Sequence, residues 1–494
     1  MSPPWISVLI DASSKNSPAA SSHTWPALVQ AAAISDDAAD MSLTVIRNAT
    51  VVMGDAGRTI HHDGAVAVDG ARIAAVGPSA DVERRWPGAE TIDGRGKAVF
   101  PGFVNCHTHL WFTVARGIQE DFGFPSTLRF PTTVQAMLSA EENRVFALLG
   151  ALEAIRSGTT ALFEIGYRVP DYAQAVAATG LRVTFGQSTS DLEPDGIADG
   201  RFVFSPARGE KTLQSVADVI SRWHGADGGR ITCAVAAHAP EACSPENLRQ
   251  AGALAGRHDV GTTIHLNQSR WEVESVVRVR GVRPTEYVFE HGFLSPRLVA
   301  AHCRFMAPSE VALLGGSGAA VSHNAAMAAR RAAAPAIQEL AAAGATIAVG
   351  TDNMAEDMVE ATRAALFMER VRLADAMRPQ PEDVLEWATR NGARALGLRD
   401  VGSLEVGRKA DLIVVDTRRA HLVPTLRIVS AFVHNGQAAD VESVMVDGRW
   451  VMRDGRVRTI DESDILRRAE EIARRAWRQL ADRYPDVPFP IRLP

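Results

Sequence analysis

The sequence predicts an α/β protein: a (β/α)8 TIM-type barrel carrying a small β-sandwich built from its N- and C-terminal segments. Three observations predict it. Eight short apolar runs alternate with longer stretches of helical periodicity through the middle of the chain. Residues able to carry chemistry gather at the C-terminal ends of those runs, which is where barrels of this type build their sites. Segments of β character with Asp-Gly turns occur at both ends of the chain.

In chain order, residues 1–41 are rich in Ser, Ala and Pro and read as a disordered extension, with Met41 a candidate start. Their one apolar patch, WISVLI, is short and lacks a preceding basic stretch, so a signal peptide is not expected. Residues 42–98 form the first part of the sandwich, with LTVIRNATVV (43–52) and the hairpin AVAVDGARIAAVGP (65–78). Residues 99–398 form the barrel. Its strand candidates are 99–109, 159–166, 181–188, 231–240, 261–269, 298–305, 319–326 and 345–353. Residues 399–457 return to the sandwich through KADLIVVD and VESVMVDGRWVMRDG, and residues 458–494 supply a C-terminal helix and tail.

Composition narrows the function. The 494 residues carry a net charge of −6 with no basic stripe, which excludes nucleic acid as the expected partner. No run approaches the ~18 apolar residues of a membrane helix. The four cysteines form no C-x-x-C pair and read as reduced thiols in a cytoplasmic protein. A small-molecule substrate is the remaining partner class.

The strand ends carry His107 and His109, Glu164, His238, His265, His302, His323 and Asp352. A single histidine at a strand end is ordinarily structural, and a single Asp before Asn is ordinarily a turn former. Here an H-x-H pair, several further strand-end histidines and a final Asp would converge on one mouth. That set fits a divalent metal bound by His107, His109, His265 and Asp352, with one position open for water. Such an ion lowers the pKa of a bound water to about 7. Asp352 would take the water's proton and pass it to the leaving group, and His302 would orient the water or the substrate oxygen.

The segments VFPGFVNCHTHL, HLNQSRWEVESV, LVAAHC, AVGTDN and SLEVGRKADLIVVD, in this order, resemble the amidohydrolase superfamily. The branch they are similar to contains atrazine chlorohydrolase, triazine hydrolase, and the cytosine, guanine and S-adenosylhomocysteine deaminases. The resemblance covers roughly Leu43 to Val457. It implies the barrel and sandwich, metal ligands at His107, His109, His265 and Asp352, a catalytic His302, a substrate-facing His238, and a homo-oligomer, dimer or larger. One ion is expected, zinc first, with iron, cobalt or manganese as alternatives. The lysine-bridged two-metal site of hydantoinase-type members is excluded, because none of Lys15, Lys97, Lys211 and Lys409 ends a barrel strand.

Two departures bear on the reaction. The deaminases of this branch carry H-x-x-E after strand five, whereas here the fourth residue is Gln268. An amide cannot protonate a ring nitrogen, although it can donate a hydrogen bond to a carbonyl. Glu164 could supply the missing acid or serve as a buried ion-pair partner. After strand seven, His323 and Asn324 keep the pattern, but the following Pro and Ser are replaced, and Arg330 and Arg331 come next. The expected activity is therefore hydrolysis of a non-peptide C–N bond of amide, urea or carbamate type in a small aromatic or heterocyclic substrate. Phenylurea and molinate hydrolases of the wider group have substrates of that description. The alternatives are deamination or dechlorination of a purine, pyrimidine, pterin or s-triazine ring, in which Asn353 would contact the heterocycle, and a non-catalytic metal-binding barrel. Trp111, just after the H-x-H pair, is placed as an aromatic wall for a flat substrate or as core packing.

Overall fold

The computed structural model describes residues 43–122, 133–193, 197, 200–485 and 487. The extension expected over 1–41 lies outside the described residues. Five strands open the chain: β1 (Thr44–Val52), β2 (Ile60–Asp69), β3 (Arg72–Pro78), β4 (Glu90–Asp93) and β5 (Lys97–Pro101). Eight more follow: β6 (Phe103–Thr108), β7 (Thr159–Gly166), β8 (Arg182–Thr189), β9 (Ile231–Ala237), β10 (Gly261–Leu266), β11 (Leu298–His302), β12 (Ala320–His323) and β13 (Thr346–Val349). The last four are β14 (Leu412–Asp416), β15 (Val441–Val446), β16 (Arg449–Arg453) and β17 (Arg456–Val457).

Strands β6 to β13 pair in sequence order, all parallel, and helices fill the crossovers between most of them. This is the (β/α)8 arrangement. The ends of the sheet meet through the residues of interest themselves. The Asp352 N–H donates to the His107 carbonyl at 3.0 Å, and the His109 N–H donates to the Asp352 carbonyl at 2.9 Å. Strands β1–β5 and β14–β17 form a second, mixed sheet drawn from both ends of the chain.

The run VFPGFVN, read from sequence as one strand, is divided between the two sheets. β5 pairs with β1 and β14, and β6 pairs with β7. The break falls at Gly102, where a Cβ would lie 2.1 Å from the Thr160 side chain. Only glycine permits that approach, so the chain changes sheet there.

Side-chain parity decides what each strand presents. Phe163 and Ile165 of β7 pack with Ala234, Ala236, Val299 and Ala320 inside the barrel. Leu162, Ile264, Leu266, Val321 and Val349 belong to the layer shared with the helices. Alternation along a strand therefore sends His265 inward with Thr263, and sends Glu164 and His323 outward. A 22-residue helix, Glu462–Arg483, packs its Ala469, Ala476, Trp477 and Leu480 against the segment after His109.

Candidate metal centre and active site

Three histidines, two of them anchored to backbone carbonyls, form one side of the site. His109 Nδ1 donates to the Ile165 carbonyl at 2.7 Å, and His265 Nδ1 donates to the His238 carbonyl at 2.6 Å. Each bond fixes the tautomer, so both Nε2 atoms are lone-pair acceptors. Those two Nε2 atoms face each other at 3.2 Å. Burial holds both rings neutral, with pKa values lowered to about 4, so no proton bridges them at neutral pH. His107 is fully buried, and neither of its ring nitrogens has a hydrogen-bond partner. Two lone pairs pointed at each other beside a third orphaned imidazole is an arrangement that a cation relieves. The donor set therefore fits a divalent ion.

Asp352 completes the cluster from beside His107 and His109, where the ends of the sheet meet. Its Oδ1 lies 3.8 Å from His107 Nε2 and 3.7 Å from His109 Nε2. Potential ligand atoms of His107, His302 and Asp352 also lie within 4.8 Å of one another. Desolvation raises the Asp352 pKa, and Arg304, His265, Arg331 and Arg330 oppose the rise. Two of these residues hold left-handed backbone: φ is 73° at Asp352 and 78° at His302. Such strain in side chains bearing a Cβ costs of order 1–3 kcal/mol each and concentrates at functional sites.

His302 is held by two donors. Arg304 Nη2 lies 3.0 Å from His302 Nδ1, and Asn324 Nδ2 lies 3.2 Å from it. Ser322 donates its hydroxyl to Asn324 Oδ1 at 2.8 Å, which orients the amide with its NH2 toward His302. Nδ1 is therefore an acceptor, and the ring proton resides on Nε2. Gly350 makes room for this cluster, since a Cβ there would lie 2.5 Å from both Asn324 Oδ1 and Ser322 Oγ.

Known proteins of similar sequence and shape share this framework. A sequence profile of the Amidohydrolase family matches residues 98–451, and one of the bacterial imidazolonepropionase-like composite domain matches 64–89. A 5-methylthioadenosine/S-adenosylhomocysteine deaminase of Desulforudis audaxviator is 36% identical over 439 residues, covering 87% of this chain and 98% of that protein. A 5'-deoxyadenosine deaminase of Methanothermobacter thermautotrophicus is 35% identical, covering 77% of this chain and 88% of that one. The chain belongs to the amidohydrolase family.

Among solved structures, a zinc-bound adenosine deaminase from Xanthomonas campestris superposes with a TM-score of 0.81 at 26% identity, covering 88% of this chain and 98% of that one. A zinc complex of atrazine chlorohydrolase from Arthrobacter aurescens superposes at 0.78 and 23% identity, covering 87% and 100%, and shares the fold. This amidohydrolase is thus an enzyme of the class that hydrolyses C–N bonds other than peptide bonds.

The remaining sequence-derived candidates divide. The His238 ring packs against His265 and Tyr167, at centroid distances of 5.2 and 5.1 Å. Trp111 donates Nε1 to the same Ile165 carbonyl that anchors His109, at 3.2 Å, and is only partly buried. Gln268 is partly buried, and its N–H donates to Glu272 Oε2 at 2.6 Å. Asn353 follows Asp352 directly, with a buried Oδ1 that has no hydrogen-bond partner.

Two candidates are turned away from the mouth. Of the two roles the sequence offers Glu164, missing acid or buried partner, the structure supports the buried one, since its parity points it to the helix-facing side and away from a substrate. There it accepts from the Leu110 N–H and the Tyr172 hydroxyl, each at 2.8 Å. Both oxygens are spent, one on the turn after His109 and one on the helix Val169–Ala178. The same geometry leaves no carboxylate bridge from Glu164 to a second ion. His323 shares the outward parity of Val321, lies outside the ligand-atom clusters of the described residues, and is fully buried.

Two residues escaped the sequence reading. Arg304, two positions after His302, is buried with its guanidinium 3.7 Å from Asp352 Oδ2. Burial lowers its pKa to about 10, which leaves it charged at neutral pH. Glu241 lies three residues after His238 on a turn, Pro240–Ala242, that packs on the helix Arg270–Arg280 beginning just past Gln268. Its Oε2 is buried without a hydrogen-bond partner, and burial pushes its pKa up to about 7. Neighbouring Glu272 accepts from the Asn267 and Gln268 N–H groups, but burial and the Glu241 charge still push its pKa well up, so the two carboxyls hold a proton between them. A charged residue directly after a strand end was the one sequence signal for Arg304.

Proposed function

We propose that this chain is a hydrolase dependent on one divalent ion, which removes an amino or substituted amino group from an sp² carbon of a nitrogen heterocycle. The observation that carries the reading is the pair of opposed His109 and His265 lone pairs beside His107 and Asp352. The ion would be held by His107, His109, His265 and Asp352, with zinc the first expectation and iron, cobalt or manganese the alternatives. When bound, it would supply Lewis acidity that brings the pKa of a water to about 7.

The protein's own residues then divide the work. Asp352, raised by burial but with its anionic form favoured by the Arg304 charge, accepts the water's proton and returns it to the leaving nitrogen. His302, with its proton on Nε2, acts as a hydrogen-bond donor and not as a base. His238 and Trp111 line the approach with aromatic surface suited to a flat ring. The relatives named for deamination of adenosine derivatives support the ring-substrate class. A second reading, cleavage of an acyclic amide, urea or carbamate, is favoured by Gln268, because a carbonyl carbon needs no ring protonation. We also propose a cytoplasmic homo-oligomer; no helix among the described residues is long and apolar enough to cross a membrane.

Ammonia release decides between the readings. The metal-loaded protein should be assayed on 5'-deoxyadenosine, nucleobases, pterins and aminotriazines, and on ureas and carbamates. Turnover confined to the acyclic set would replace the first reading by the second, and no turnover in either set would favour a binding protein.

A further inference from the structure

Arg304 has fewer partners than its position demands. Only 8% of the residue is exposed, yet its Nε has no hydrogen-bond partner among the described residues. Nη2 is given to His302 at 3.0 Å, and Nη1 reaches the Gln268 carbonyl only at 3.5 Å. The carboxylate in ion-pair range of it, Asp352, lies at 3.7 Å and is shared with the histidine cluster. A buried guanidinium without a close counter-ion is costly, and proteins ordinarily pair it.

The surroundings do not offer another anion. The nearby Glu272 carboxylate already accepts the Asn267 and Gln268 N–H groups. At the H-x-x-E position stands neutral Gln268. Arg331 donates to the Glu120 carbonyl at 3.3 Å, and Arg330 pairs with Glu360 at 3.0 Å, so both add positive potential on the Asp352 side. A divalent ion on the histidines would make the mouth more positive still.

We propose that Arg304 binds an anionic oxygen of the substrate, and that the substrate therefore carries a carboxylate or an ionised ring oxo group close to the carbon that is attacked. This rests on the reading of the cluster as the site of C–N hydrolysis and narrows it. Neutral adenine-type rings would be poor substrates, and oxo- or carboxylate-bearing amino-heterocycles good ones. Arg304 supplies two roles at once: one Nη2 hydrogen orients His302, while the Nε hydrogen and the other Nη2 hydrogen, which share an edge of the planar guanidinium, meet the anion.

The test uses matched pairs. The carboxylate arm compares cytosine-5-carboxylate with cytosine, the carboxylate standing on the carbon next to the amino-bearing one, and the oxo arm compares ammelide, at a pH where it is ionised, with melamine. Dissociation constants are measured by calorimetry on the full chain, metal-free and zinc-loaded, for the wild type, Arg304→Met and Arg304→Lys. In at least one arm the anionic member should bind about 10-fold tighter or more, as expected for a charge-assisted contact. Arg304→Met should erase that preference, and Arg304→Lys should keep part of it. A preference absent in both arms, or one that survives in Arg304→Met, overturns the assignment. Hydrolysis of neutral rings without any anion preference would remove the Arg304 role and leave the hydrolase reading standing. An Arg304-dependent preference without hydrolysis would do the reverse.

Discussion

The two walls of the mouth are built on different rules. On the His107, His109 and His265 wall, two rings are locked by backbone carbonyls, of Ile165 and His238, and one ligand nitrogen from each ring lies within 4.8 Å of the others. On the Gln268, Arg304 and Glu241 wall, an expected carboxylate is an amide, an unexpected guanidinium is buried, and a carboxyl holds a proton near neutrality. The donor set of the first wall fits a divalent cation, and on the proposed reading the second decides which bond is cut and which substrate is accepted. A shared fold does not by itself fix the second.

The sharpest way to break the comparison is on the first wall. Asp352→Ala or His265→Ala should lower kcat/KM by at least ~10³-fold and remove bound metal, because Lewis acidity and proton transfer go together. Retention of more than a tenth of wild-type activity with full metal would mean that the wall is structural.

On the second wall the largest effect should come from His302→Ala, a loss of about 10²–10³-fold in kcat with metal content unchanged, the size seen for removal of one preorganised donor. Asn324→Leu should lower kcat by a smaller factor, about 5–10-fold, through loss of one hydrogen bond to Nδ1. Equal effects of the two substitutions would contradict the claim that Asn324 acts only by positioning the ring.

Gln268→Glu tests which chemistry the second wall serves. If a ring nitrogen must be protonated, the substitution should raise deamination by up to about 10²-fold. No change in the ratio of ring deamination to urea or carbamate cleavage would show that position 268 carries no such weight.

The smallest effect concerns stability and pH. Glu241 has a folded pKa near 7, raised from its usual 4.5 by burial, so its protonated form is the one the fold favours. Its contribution is fully present below pH ~4.5 and is lost as pH rises through ~7. Glu241→Gln should therefore be neutral at pH 5 and stabilising at pH 8, by up to about 3 kcal/mol. Thermal unfolding of the two proteins at both pH values measures it; an equal shift at pH 5 and pH 8 would contradict a proton held by the Glu241 and Glu272 pair.

Much of the first wall was legible in the sequence, because strands announce themselves as apolar runs and their ends as polar breaks. His107, His109, His265, His302 and Asp352 meet where the barrel topology requires. What was not legible followed from facing and from backbone. Glu164 and His323 stand at strand ends by residue count, but alternation turns both to the helix layer. The carbonyls that fix the His109 and His265 tautomers have no side-chain signature. Arg304 and Glu241 matter because of what surrounds them after folding, and a single Arg or Glu after a strand is too common to single out. The division of 97–108 between two sheets depended on one close contact at Gly102.

The most direct test of the central claim is metal content. The purified chain should be stripped with a chelator, reloaded with zinc, and analysed beside His109→Ala and His265→Ala. The opposed lone pairs predict about one equivalent of ion per wild-type chain and almost none in either variant. Equal metal in all three proteins would contradict the account.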